Sequence, residues 1–371
     1  MKNKYLVIFM PSIEGGGVEK NLFIIANHLS SKNNNIKLIT ATSGFDQKFK
    51  NIDIIKPKLH LLKITSRKFR YIISLLELLK LIISGKDLTV FSFQANLYCI
   101  ILCKIFKKKI IIRSNSSPSG WSKNPIKRFI FKYLFGQADK IIVNSIDFKR
   151  QFKVIFNINA KCIYNPLNKR EIIELSKKKI DFPFFDNNKN LIKIINIGRF
   201  TDQKDHLTLL RAVNYIKELL PIKLLIIGRG IKLKKMNDFI KKNNIQSNIK
   251  ILDFKLNPFP YLKKSNLFVL TSRFEGLPNV LLEAAALKKF IISTDCPTGP
   301  REILKKGKNG FLCKIEDYKN IARKIILFKK TKKTKKIKNM INYNYNNLDR
   351  FDYDKNLNIY SKEINKILNN F

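Results

Sequence analysis

Phe274-Glu275-Gly276-Leu277-Pro278-Asn279-Val280-Leu281-Leu282-Glu283-Ala284-Ala285 reads as a turn that opens a helix, with two carboxylates bracketing it and seven residues between them. The apolar run 267–270 just before it has the character of a buried parallel strand. Strand, loop, helix N-terminus is the order at which open α/β sheets bind ligands, outside the carboxyl ends of their strands. Pro278 suits the first helical position, where its missing N–H has no partner to lose. The N–H groups of Gly276, Leu277 and Asn279 in this turn belong to a helix end that favours an anion such as a phosphate. Glu275 precedes the helix and can face a ligand. Glu283 lies roughly one and a half turns further in, at about 3.6 residues per turn, and reaches a second part of the same ligand. Carboxylates accept from paired sugar hydroxyls, so the stretch suits a molecule with phosphate in the middle and hydroxyl-rich groups at both ends.

Working outward from this stretch, strands alternate with helices on both sides. Strands are predicted at 5–9, 36–40, 89–93, 110–113, 140–143 and 161–164, with helices at 18–29, 95–106, 126–135 and 148–156. After Asn165-Pro166 the pattern restarts. Strands follow at 191–197, 223–227, 249–252, 267–270 and 290–293, with helices at 206–218, 233–243, 258–263, 278–287, 301–304 and 321–328. Such alternation implies parallel sheets covered on both faces, an α/β chain of two doubly wound halves. We expect domains over 1–168 and 191–347, a connection over 169–190, and a terminal segment 348–371 whose last helix is amphipathic. The Lys-, Asn- and Tyr-rich stretch 329–347 reads as a solvated helix.

The bulk properties agree with this division. The 371 residues are too many for one ordinary core, and a hydrophobic content of 45% leaves ample material to bury. No uninterrupted apolar run reaches the length of about 18 residues that spans a bilayer; the run 71–83 is broken by Glu77 and Lys80. The strand 5–9 leads directly into a glycine-rich loop, so no signal peptide is expected and the compartment is the cytoplasm. Five cysteines are scattered without metal-like spacing, and Cys99 and Cys103 share a helix face as core residues. Three histidines do not cluster. The net charge of +46 has two readings: attraction to a polyanion, whether membrane surface or nucleic acid, or lysines spread over every surface by compositional bias.

Further residues carry chemistry. Gly15-Gly16-Gly17 lies between the first strand and the first helix, where glycines allow close backbone approach to a ligand or simply make a tight turn. Gly198-Arg199-Phe200, followed by Lys204, leaves the carboxyl end of the 191–197 strand. An Arg fork and a Lys point charge on one loop can neutralise a diphosphate. Gly228-Arg229-Gly230, after the next strand, forms either a base pocket or a turn.

Together these elements resemble the retaining family-4 glycosyltransferases. The likeness is most specific at Phe274 to Ala285, which matches the paired-glutamate motif of that family. It is also good at Gly198 to Lys204, and at Thr294-Asp295-Cys296-Pro297-Thr298-Gly299-Pro300-Arg301-Glu302-Ile303-Leu304 with Gly307-Lys308-Asn309-Gly310-Phe311, in the manner of bacterial surface-polysaccharide members. The resemblance implies the GT-B fold, two Rossmann-like domains facing a cleft, with a final helix crossing back to the N-terminal domain. It implies a nucleotide-sugar donor, expected to be UDP-linked, and a lipid-linked glycan, lipopolysaccharide or capsule acceptor. Arg199 and Lys204 would meet the donor diphosphate, Glu283 the ribose hydroxyls and Glu275 the transferred sugar. Gly16, Gly17, Gly276, Leu277, Pro278 and Asn279 would complete the phosphate cradle. No metal and no cofactor are implied, and Asp352-Tyr353-Asp354 is read as incidental. Members often carry a histidine after the strand matching 110–113; here the chain reads Arg113-Ser114-Asn115-Ser116-Ser117-Pro118, and Asn115 is the acceptor-side candidate. His28, His60 and His206 do not fall at that place.

Lys104-Ile105-Phe106-Lys107-Lys108-Lys109 and the stretch 123–132 alternate cations with large apolar residues, a pattern suited to the anionic inner face of a membrane. A sugar-nucleotide epimerase of the same fold, or a basic nucleic-acid-binding protein, are the competing readings; no specific nucleic acid is expected.

Overall fold

Two parallel sheets, each sandwiched between helices, emerge in the computed structural model, which describes residues 4–32, 35–58, 66–115, 118, 124–185 and 190–369. The chain divides into two units, Met1–Pro166 with Tyr353–Phe371, and Leu167–Asp352.

The first unit runs β1 (Tyr5–Phe9), α1 (Gly17–Ser30), β2 (Ile36–Ile39), β3 (Asp53–Ile55), α2 (Arg67–Ile83), β4 (Leu88–Ser92), α3 (Asn96–Ile105), β5 (Lys109–Ser114), α4 (Pro125–Gly136), β6 (Lys140–Val143), α5 (Ile146–Phe156) and β7 (Lys161–Cys162). The strands lie in the order β3-β2-β1-β4-β5-β6-β7. Side chains alternate across the sheet with a period of two. Val7 and Phe9 therefore pack with Leu78, Cys103 and Phe152 of the α2, α3 and α5 layer. Leu6 and Ile8 pack on the other face with Leu22 and Ile25 of α1. That second layer also holds the terminal helix, which buries Leu357, Tyr360, Ile364 and Leu368 there. Helix starts are marked as the sequence chemistry requires: the side chain of Asn124 accepts from the Lys127 N–H with Pro125 following it, and Ser145 accepts from Phe148.

In the second unit the order is α6 (Lys169–Leu175), β8 (Ile192–Ile197), α7 (His206–Ile216), β9 (Ile222–Ile227), α8 (Leu233–Lys242), β10 (Ile249–Leu252), α9 (Phe259–Lys264), β11 (Leu267–Leu270), α10 (Asn279–Ala286), β12 (Phe290–Thr294), α11 (Pro300–Ile303), β13 (Phe311–Cys313), α12 (Tyr318–Thr331) and α13 (Lys335–Asn346). Its sheet order is β10-β9-β8-β11-β12-β13. Helix α14 (Tyr353–Asn369) then returns to the first unit.

Four local differences from the sequence expectations have physical causes. Pro278 is the N-cap of α10 rather than its first helical residue, because its ψ of 109° is extended. The segment 169–190 falls within the second unit: Ile172, Phe182 and Phe185 are buried, and Asn257 and Lys264 donate to the carbonyls of Leu175 and Ile180 at 3.0 and 2.9 Å. The stretch 329–347 holds the end of α12 and then α13, and it is not merely solvated, since Ile337, Met340 and Asn344 are buried. The edge strands β3 and β13 are only three residues long and offer too little alternation to be read.

Candidate active site

In the second sheet β8 and β11 are neighbours, with β9 and β10 to one side and β12 and β13 to the other. This reversal of strand order is the switch point at which doubly wound sheets receive ligands. Every loop built below leaves the carboxyl end of one of these strands.

The 198–205 loop after β8 is tied on both flanks. On one flank, the Phe200 N–H donates to Arg229 O at 2.8 Å and the Lys232 N–H to Phe200 O at 3.1 Å. The two loops pass so closely that a Cβ on Gly228 would lie 1.9 Å from Gly198 O, so the glycines of Gly228-Arg229-Gly230 serve backbone approach. The Arg229 guanidinium sits 4.7 Å from the Phe254 ring centre and 3.9 Å from Asp253. On the other flank, the Arg273 N–H donates to Gln203 O at 2.8 Å, the Gln203 amide to Phe274 O at 3.0 Å and the Thr271 hydroxyl to Lys204 O at 3.0 Å.

These ties bring Lys204 to Glu275. Lys204 Nζ donates to Glu275 Oε1 at 2.6 Å, and Ser272 Oγ donates to the same oxygen at 2.6 Å. The side chains are only 15% and 7% exposed. Both charges lie largely out of water, so each depends on the other. The carbonyl of Glu275 accepts from Thr298 Oγ1 at 2.7 Å. Beside it Gly299, at φ +71°, comes so near that a Cβ would fall 2.0 Å from Gly276 O. The turn Gly276-Leu277-Pro278 is thus clamped from behind, and Asn279 starts α10 directly after it. Glu283 is buried on that helix. Arg199 is exposed on the loop that also carries Lys204. The second unit therefore gathers Arg199, Lys204, Glu275, Gly276, Leu277, Pro278, Asn279 and Glu283 onto two interlocked loops and one helix. That set offers two cations and a helix N-terminus to a diphosphate, and two carboxylates to hydroxyls.

The remaining candidates stand in the first unit. Gly16 caps α1 without a side-chain bond and Gly17 is its first residue, after Gly15 at φ +78°. They follow β1, which borders β4 at that sheet's own switch point. The loops after β1 and β4 are joined by the Gln94 side chain, which accepts from the Ser12 N–H at 3.1 Å and donates to Ser12 O at 2.9 Å. Asn115 accepts from the Arg113 guanidinium and donates to Phe93 O at 3.0 Å. Arg113 itself is fully buried at the end of β5. It also donates to Tyr360 Oη at 2.9 Å and to Asn165 Oδ1 at 2.6 Å. Ser116, Ser117, Lys123 and His60 lie outside the described residues.

Sequence reasoning passed over Ser272, Thr298 and the Arg113 cluster. The signal for the last was present: an Arg at the end of the Ile110-Ile111-Ile112 run must be given acceptors if it is buried. Ser272 and Thr298 had no signal stronger than their nearness in sequence to Glu275 and Gly299.

His206, the first residue of α7, is buried against the edge of the Phe200 ring at 5.2 Å, and neither ring nitrogen has a hydrogen-bond partner among the described residues. Burial pushes its pKa down to about 3, with the Lys204 charge adding to the effect. The unfolded chain takes up this proton below about pH 6.5 and the folded chain does not, so the stability contribution is present above that pH and declines as pH falls toward 3. We expect the stability difference between the protein and His206→Leu to change by about 2 kcal/mol between pH 7 and pH 5, to the protein's disadvantage at the lower pH. Parallel denaturant-unfolding curves at the two pH values read this difference, and an unchanged difference would show that the imidazole is not held neutral.

The family model described as "Glycosyl transferases group 1" matches residues 177–347. An uncharacterized glycosyltransferase of Methanocaldococcus jannaschii is 37% identical over 222 residues, 55% of this chain and 53% of its own, so the chain spans about half the length of that relative. The N-acetylgalactosamine-N,N'-diacetylbacillosaminyl-diphospho-undecaprenol 4-alpha-N-acetylgalactosaminyltransferase of Campylobacter jejuni is 27% identical over 331 residues, covering 84% of this chain and 86% of its own. Among solved structures, Anabaena HepE in complex with UDP-glucose superposes with a TM-score of 0.77 at 16% identity, covering 98% of this chain and 99% of its own. This last likeness speaks to the fold, two Rossmann-like units of the GT-B class.

Proposed function

We propose that this chain is a group 1 glycosyltransferase that moves a hexose or N-acetylhexosamine from a UDP-linked donor to a lipid-linked glycan, lipopolysaccharide or capsule acceptor, with retention at the anomeric carbon and with neither metal nor cofactor. The observation that carries the reading is the interlocking of the 198–205 and 271–278 loops at the switch point of β8 and β11. It holds Lys204 against Glu275 just before α10, with Arg199 on the same loop as Lys204 and Glu283 on α10 itself. The Campylobacter relative, named for transfer onto an undecaprenyl-diphosphate glycan, supports the acceptor class. A structural neighbour that holds UDP-glucose supports the donor class.

In this reading the bond from the anomeric carbon to the diphosphate oxygen breaks as negative charge gathers on the leaving group. Arg199, Lys204 and the N–H groups at the start of α10 meet that charge, and such preorganised donors are often the largest single term in catalysis. The acceptor hydroxyl attacks from the face the diphosphate leaves, and its proton passes to the departing phosphate oxygen. Glu283 accepts from the ribose hydroxyls. Glu275 gives one oxygen to Lys204 and Ser272, and its other oxygen accepts from the transferred sugar. We assign the work to the cytoplasmic side of the membrane. No helix among the described residues is long and apolar enough to cross a bilayer.

A thermal-shift screen in EDTA against UDP-, GDP- and ADP-sugars tests the donor. A UDP-sugar at a hundred times its Kd should stabilise the protein by about 2.7 kcal/mol, and Glu283→Ala should lose that response. Stabilisation by only a GDP- or ADP-sugar would overturn the choice of base. Stabilisation by none would overturn the donor site.

A further inference from the structure

We propose that the outer surface of the α2, α3, α4 and α5 layer of the first unit docks on an anionic lipid bilayer. The two helical layers of this unit differ sharply. Every exposed large apolar side chain of the unit, among the described residues, lies on α2, α3, α4 or α5 or immediately after α3. The opposite layer of α1 and α14 shows none. An apolar surface of this extent on one side calls for a cover.

Helix α4 shows what kind of cover. Of its 12 residues only Phe135 is buried. Ile126, Phe129, Ile130 and Tyr133, spaced i, i+3, i+4, i+7, form one stripe. Phe135 projects from the opposite side of the helix, and the stripe residues Ile126, Phe129 and Tyr133 are 72%, 74% and 65% exposed. Lys127 and Lys132 flank the stripe, and α4 carries no acidic residue. Helix α3 likewise has none, and exposed Lys107 follows it. An apolar stripe flanked by cations matches a bilayer with negative headgroups: the apolar side chains enter the acyl boundary and the ammonium groups remain at phosphate level. A second copy of the same face would set like charges against each other. A nucleic-acid partner would leave the aliphatic stripe without a counterpart, since its backbone is met by cations. The use of such docking, to bring the enzyme to a lipid-borne acceptor, rests on the function proposed above. The docking itself is separable from it.

Co-sedimentation of the full chain with 1:1 phosphatidylglycerol–phosphatidylcholine vesicles, against pure phosphatidylcholine, tests the proposal. Two variants change exposed positions only, Phe129→Ser with Tyr133→Ser, and Lys127→Glu with Lys132→Glu. The protein should pellet with the anionic vesicles alone, and each variant should bind about tenfold or more weakly, with its thermal response to UDP-sugar unchanged. Absence of vesicle binding, equal binding by protein and variants, or a dimer that Phe129→Ser with Tyr133→Ser dissociates without weakening vesicle binding would each overturn it. Vesicle binding that follows this pattern while no nucleotide sugar stabilises the protein supports the docking surface and removes the transfer reading.

Discussion

Arg199→Ala is expected to lose transfer from a UDP-sugar by about 10²–10³-fold in kcat, as removal of one preorganised donor does in other active sites, while keeping its unfolding midpoint. The two halves of this expectation have separate grounds. Arg199 is exposed, and truncating an exposed side chain away from special backbone features usually changes stability by less than about 0.5 kcal/mol. Phe200 also ties the loop through main-chain bonds to Arg229 and Lys232, which truncation of the Arg199 side chain leaves in place. In the proposed function, what is lost is a charge and a bidentate fork for the donor diphosphate. Arg199→Lys should therefore recover only part of the rate, since an ammonium restores the charge without the bidentate geometry. A steady-state assay of UDP release, with and without acceptor, reads both variants. Turnover in Arg199→Ala equal to that of the protein would remove Arg199 from the donor site.

The largest stability effect is expected at Arg113→Leu, a loss of about 3–5 kcal/mol from the first unit. Arg113 is fully buried, donates to Tyr360, Asn115 and Asn165, and stands 5.5 Å from the Phe93 ring centre. A leucine there removes the hydrogen bonds that three side chains had formed to one buried cation. Tyr360→Phe removes one of these bonds and should cost about 1–2 kcal/mol. Urea unfolding followed by hydrogen exchange on α14 separates the two variants, because the helix should lose protection in both and most in Arg113→Leu. A cost below about 1 kcal/mol in Arg113→Leu would mean that water replaces the guanidinium and that the cluster is not structural.

These effects differ in how far the sequence announced them. The paired glutamates, the Gly-Leu-Pro turn and the cations at Arg199 and Lys204 were legible because each sits at a fixed offset from an apolar strand and a helix start. The strands were legible for the same reason: fully buried parallel strands read as continuous apolar runs, as in Leu267-Phe268-Val269-Leu270. The pairing of Lys204 with Glu275 was not legible, because 71 residues separate them and only strand order makes them adjacent. Gly228 and Gly299 were similarly opaque. Their need for a bare Cα comes from a carbonyl on another loop, and no local pattern reports that. Membership of 169–190 in the second unit was masked by its polar composition; three buried side chains, Ile172, Phe182 and Phe185, decide it.

The return of α14 to the first unit has a consequence for biosynthesis. The second unit is one unbroken stretch, whereas the first is written in two separated passages, Met1–Pro166 and Tyr353–Phe371. Domains ordinarily acquire structure in the order in which they leave the ribosome. Here the earlier-made portion waits with Leu6, Ile8, Phe91 and Ile111 lacking the apolar stripe that will cover them, until the helix at Tyr353–Asn369 has been translated. Of these two units, the one begun first is the one completed second, and its nascent sheet is the surface a chaperone would be called on to shield.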